Sequence, residues 1–194
     1  MKLQISFRQY RAIDLGFFAL LLLASEALLV TAATRWFPEQ PYTVSVSAAV
    51  TAIVLLRWGA FAALHAALGG AVFCLASGAA PAQYAVYCLG NLLALLMLPL
   101  RRAPGTERIR NDAFLTVAFA LGTQLLMQLG RALTAFLLGS PAARCLGFVT
   151  TDALSELFTA LVLWVARRQD GLLEDQKHYL LRIHADAGEK GGGY

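Results

Sequence analysis

From residue 14 to residue 166 the chain is a succession of apolar segments, parted only by short stretches where Arg, Pro and Gly gather. A bilayer core about 30 Å thick is crossed by about 20 apolar residues of α-helix. The pattern therefore predicts an all-α fold, a polytopic membrane bundle of six transmembrane helices. The expected spans are 14–34, 42–56, 59–77, 82–100, 113–138 and 146–166. Turn signals separate them at Arg57-Trp58-Gly59, Gly78-Ala79-Ala80-Pro81, the polar stretch 101–112 and Gly139-Ser140-Pro141. The second span is the shortest and reaches only about 22 Å. Residues 1–168 are then one transmembrane domain and 169–194 a cytoplasmic tail. With 58% hydrophobic and 14% charged residues, the chain is too apolar for an ordinary water-soluble domain.

Lys2, Arg8 and Arg11 precede the first apolar run as they would in a signal peptide. That run is long and contains Glu26, so a retained first span is expected instead. Counting basic residues by loop orients the bundle. With the N-terminus inside, the inner segments hold Lys2, Arg8, Arg11, Arg57, Arg101, Arg102, Arg108, Arg110 and five basic residues from Arg167 onward. The outer loops hold only Arg35 and Arg144. This bias predicts an N-in, C-in topology in the cell's inner (plasma) membrane. The formal charge of +4 sits at helix ends rather than in one patch with interleaved aromatics, so lipid rather than nucleic acid is the expected partner.

Four ionisable residues lie inside the expected spans: Glu26, Arg131, Asp152 and Glu156. Facing lipid, they would together cost about 10 kcal/mol or more. They must face the bundle interior or water. Counted from the outer helix ends, Glu26, Arg131 and Asp152 reach one level about 10–12 Å below the surface. Gln124, Gln128 and Arg131 share a face of the fifth span. Tyr84, Tyr87 and Asn91 share a face of the fourth, and Glu156 follows Asp152 by one turn. The nine residues predict a polar substrate pocket in the outer half of the bundle. The alternative is an internal clamp of Arg131 with Asp152 or Glu156 that binds nothing. Three carboxylates against one arginine favour the pocket and a ligand with an amine, an amidine-like edge or several N–H donors. Tyr84 and Tyr87 would stack on its ring.

No catalytic or metal site is expected. Cys74, Cys88 and Cys145 lack CxxC or His-flanked spacing, and His65 is isolated from other ligand-type residues. There is no HExxH, GxSxG, P-loop or dinucleotide motif, so the chain reads as a non-enzyme without a cofactor, and ATP hydrolysis, if used, belongs to another chain. Small residues at Ala63-Ala67-Ala71 and Ala62-Ala66-Gly70 permit close approach of a neighbouring helix or a partner subunit. The amphipathic stretch from Leu172 to Ile183 is expected to form a cytoplasmic surface helix, either solvated or docked on a partner, and Gly191-Gly192-Gly193 a disordered end.

Over residues 10–168, the expected topology, the short second span joined tightly to the third through Arg57-Trp58-Gly59, and the outward pocket resemble the S components of energy-coupling factor (ECF) transporters. That resemblance implies a substrate-binding subunit for uptake of a vitamin-like micronutrient. It also implies partnership with a membrane-embedded T subunit and two ATPase subunits. Where many members carry an alanine-x-x-x-alanine docking motif on the first helix, this chain has Ala12-x-x-x-Gly16. The chain is also similar to cell-shape membrane scaffolds of the MreD type, which implies a scaffold without a ligand.

Overall fold

The computed structural model describes residues 6–39 and 44–181; among them every regular element is helical. Lys2, Tyr42, Arg182, Ile183, Lys190 and the terminal glycines, which the sequence reading used, lie outside the described residues.

Helix α1 (Phe7–Trp36) starts earlier than its apolar run because Ser6 caps it. The Ser6 hydroxyl accepts from Gln9 N, and Gln9 Oε1 accepts from Ser6 N at 2.9 Å, a reciprocal capping box. Its buried residues are Phe18, Leu22, Glu26 and Val30, one stripe at four-residue spacing. Phe17, Leu20 and Leu28 on the other faces are exposed. In water so much exposed apolar surface on one long helix would drive association, whereas lipid is its natural solvent.

Helix α2 (Ser47–Trp58) is the inverse case, with all 12 of its residues buried. At about 18 Å it is too short to match a bilayer core alone. Enclosed by α1 and the later helices, it does not meet lipid. Gly59 (φ 61°) and a 3₁₀ turn reverse the chain into α3 (Ala62–Ser77). The two pack as a hairpin, since a Cβ on Gly69 would overlap the Ser47 side chain.

A buried helix must still satisfy its orphan end groups. For α2 this is done by side chains of other helices. Glu26 Oε2 accepts from Val46 N at 2.8 Å at its start, and Arg101 Nε donates to Leu56 O at 3.1 Å at its end.

Gly78 (φ 67°) ends α3, and α4 (Pro81–Gly90) begins with proline at its first position, where the missing N–H is no loss. From Asn91 to Met97 the helix tightens to 3₁₀ geometry. A turn through Gly105 and the short α5 (Thr106–Asn111) lead to α6 (Ala113–Leu137), whose first amides donate to Asp112 Oδ1. The expected sixth span is two helices, α7 (Ala142–Thr150) and α8 (Ala153–Ala166), broken at Thr151–Asp152. Among the described residues, five helical runs are long and apolar enough to cross a membrane, the α2–α3 hairpin counting as one of them.

Residues 167–181 fold back onto the bundle rather than lying free. Leu173 is fully buried, Arg57 Nη1 donates to the carbonyls of Gly171 (2.6 Å) and Leu172 (3.0 Å), and Arg101 pairs with Asp175 at 2.6 Å. Arg57 also grips Asp14 through two bonds of 2.9 and 2.7 Å, and Trp58 Nε1 donates to the same carboxylate at 2.6 Å. These contacts gather the start of α1, the α2–α3 turn and the end of the described chain at one end of the bundle. Leu172, Leu173 and Leu180 thus pack against the core of this chain, whereas Tyr179 and Leu181 are exposed.

Candidate functional site

The polar cluster is assembled by glycines. A Cβ on Gly130 would strike the Gly90 carbonyl, and one on Gly90 would lie 2.6 Å from Arg131 N, so α4 and α6 cross backbone to backbone. The next residue on each helix is polar, and the crossing brings these two together. Arg131 Nε donates to Asn91 Oδ1 at 2.7 Å, and Asn91 Nδ2 donates to Ala66 O at 3.0 Å on α3. Gly70, whose Cβ would come within 2.7 Å of the Tyr87 backbone, seats α3 against α4. Small residues at two crossings therefore fix an otherwise costly buried guanidinium.

Arg131 lies over the Tyr87 ring, 4.9 Å from its centroid, and Phe73 stacks on Tyr87 at 4.5 Å and 22°. Phe148 meets the same ring edge-on at 6.0 Å. Both faces of Tyr87 are thus covered, and the ring supports the arginine. Asp152 sits at the α7–α8 break. Its Oδ2 accepts from Gln124 Nε2 at 2.9 Å and lies 3.5 Å from Arg131 Nη1. The amide bond is the short one and the ion pair is at the limit of contact. A guanidinium has five N–H donors, and the bonds to Asn91 and Asp152 use two.

Glu26 is fully buried and already bonded: Oε1 accepts from Ser45 Oγ at 2.7 Å and Oε2 from Val46 N. It anchors residues 45–46 and the N-terminus of α2, where a carboxylate is favoured by the helix dipole. These groups enclose a cavity of about 190 Å³ lined by Glu26, Ser45, Ser47, Gly69, Gly70, Phe73, Tyr87, Arg131, Phe148, Thr151 and Asp152. An apolar cavity of about 150 Å³ takes a benzene ring. The cavity holds two carboxylates against one arginine. Ser47 is a lining residue, and its buried Oγ, set against Gly69, has no hydrogen-bond partner.

Of the nine residues expected from the sequence, Glu26, Tyr87, Arg131 and Asp152 line this cavity. Asn91 and Gln124 stand behind it as partners of Arg131 and Asp152. Gln128 is buried beside Asp152, with which its side chain interacts. Tyr84 and Glu156 are half-buried and off the cavity wall. Glu156 N donates to Asp152 O at 3.2 Å, so Glu156 follows Asp152 by one turn of α8 as expected, yet it does not line the cavity. Ser45, Ser47, Gly69, Phe73, Phe148 and Thr151 were not singled out by sequence. The Gly69-Gly70 pair in an otherwise helix-favouring run was the readable sign of a close approach.

His65 Nε2 lies 3.1 Å from Leu15 O in the buried α1–α3 contact, a packing role. The described residues contain no cluster of three or more His, Cys, Asp or Glu able to hold a metal ion.

No protein-family model, curated protein or solved structure matches the chain. Its functional reading therefore rests on the cavity itself.

Proposed function

We propose that the chain is a six-span, N-in/C-in subunit of the inner (plasma) membrane that binds a small donor-bearing organic molecule from the outer side for uptake. The observation that carries this reading is the cavity, with two carboxylates against one arginine on its wall. The cavity lies toward the end of the bundle remote from the described N-terminal residues and 167–181. In the N-in, C-in topology that end is the outer one.

The two irregularities at the site support the same reading. Asn91 begins the 3₁₀ stretch and Asp152 sits in a helix break, and discontinuous helices in membrane bundles place backbone and charge at substrate sites. The ligand that fits is ring-sized, with an amine or several N–H donors for Asp152 and Ser47 and an acceptor for Arg131. Lacking any nucleotide-binding motif, the chain would depend on T and ATPase subunits of the energy-coupling type to drive uptake.

A ligand-free scaffold of the MreD type is the second reading, and the full bonding of Glu26 favours it. Titrating candidate amines and N-heterocycles into the purified protein, with thermal shift as readout, separates the two. A ligand for which Asp152→Asn and Ser47→Ala lose affinity supports uptake. Affinity unchanged in both variants removes the cavity as its site.

A further inference from the structure

The opposite end of the bundle holds a second, larger concavity of about 870 Å³ between the turn at 101–105, α5 and the returning chain at 173–179. This falls within the roughly 300–1,000 Å³ of small-molecule sites. Its positive charge is unevenly used. Arg101 pairs with Asp175, but Arg102, Arg108 and Arg110 form no ion pair among the described residues, although Glu107 and Glu174 share the lining. Elsewhere at this end Arg57 is held by Asp14, Arg11 by the Phe61 ring at 4.4 Å and Arg168 by the Trp164 ring at 4.3 Å.

The depth of this groove is marked by what flanks it. On its two sides in the chain stand exposed apolar side chains, Leu96 and Leu100 before it and Phe114, 78% exposed, after it. Ile109 is buried and roots α5 in the bundle, so the arginines are held at the level where the apolar belt ends. Guanidinium groups at that level meet phosphodiesters, with which they form paired N–H···O bonds.

We infer that this groove is a binding site for the headgroup of an anionic phospholipid, whose phosphate is held by Arg102, Arg108 and Arg110 while its acyl chains run along Leu96, Leu100 and Phe114. The site is independent of the cavity ligand. Tyr179, half-exposed in the lining, adds a hydroxyl for the glycerol portion.

Native mass spectrometry of the detergent-purified full chain, titrated with phosphatidylglycerol or phosphatidylcholine, tests it. The wild type should retain one phosphatidylglycerol in preference to phosphatidylcholine. Arg102→Gln/Arg108→Gln should weaken that retention about thirty-fold, since each arginine near an anionic surface contributes about 1 kcal/mol. Arg8→Gln/Arg11→Gln removes the same charge outside the groove and should leave retention unchanged. Arg102 and Arg108 are exposed, so their replacement should not shift the melting temperature. Equal loss in both double variants, equal retention of both lipids, or displacement of the lipid by inorganic phosphate alone would each overturn the assignment.

Discussion

Glu26 and Asp152 are two carboxylates on one cavity with different bonding. Both Glu26 oxygens accept short bonds that hold residues 45–46, whereas Asp152, at the helix break, accepts a short amide bond from Gln124, interacts with the Ser155 and Gln128 side chains and makes a long contact with Arg131. The two should therefore fail differently. Asp152→Asn is expected to remain folded and to lose about 1.5–3 kcal/mol of ligand affinity, about 10- to 150-fold. Glu26→Ala leaves the Ser45 hydroxyl and Val46 N–H as buried donors, at about 1–3 kcal/mol each. Loss of melting temperature should dominate its phenotype. Arg131→Ala leaves Asn91 and Asp152 facing a void, and an unfolding titration should register a loss of about 3–5 kcal/mol. An Arg131→Ala protein as stable as the wild type would show that the arginine is not part of the buried framework.

At the scale of elements, the helices are placed by what their ends and crossings demand. Helix α2 is short because it is enclosed, and its ends are satisfied by Glu26 and Arg101 from other segments. The α4–α6 crossing tolerates no side chain at Gly130. Gly130→Ala is expected to destabilise by about 1–3 kcal/mol through overpacking and, by parting Asn91 from Arg131, to weaken ligand binding as well. Arg57→Ala should free the 171–175 segment, seen as faster amide exchange there, because the Gly171 and Leu172 carbonyls lose their donor. Exchange as slow as in the wild type would show that Leu173 burial and the Arg101–Asp175 pair hold the segment without Arg57.

Much of this was legible in the sequence. Apolar run length announced the helices, and the cost of charge in lipid turned Glu26, Arg131 and Asp152 inward. The break at Thr151–Asp152 carried no glycine or proline to mark it. Glu26 as the cap of another helix, and residues 172–181 as a strap on their own bundle, depend on contacts between segments distant in the chain. Local pattern does not encode those.

For the whole molecule, the exposed belt of leucine and phenylalanine on α1, α4 and α6 is the surface that lipid covers, and the two ends differ in chemistry. The arginine-bearing end should face the cytoplasm and the cavity end the outside. In a cysteine-free background, a Cys at Ala143 should react with an impermeant thiol reagent in intact cells and a Cys at Glu107 should not; the reverse pattern would invert the topology. The measurement that bears most directly on the cavity as a substrate site is small-molecule mass spectrometry of compounds retained by the purified chain. Wild type is compared with Thr151→Trp, which plugs the cavity from an exposed position on its rim. The expected result is a ring-sized, amine- or N–H-bearing compound held near one per chain by the wild type and absent from the equally folded variant. Retention of no compound by the wild type, or of the same compound by both proteins, would contradict a binding role for the cavity.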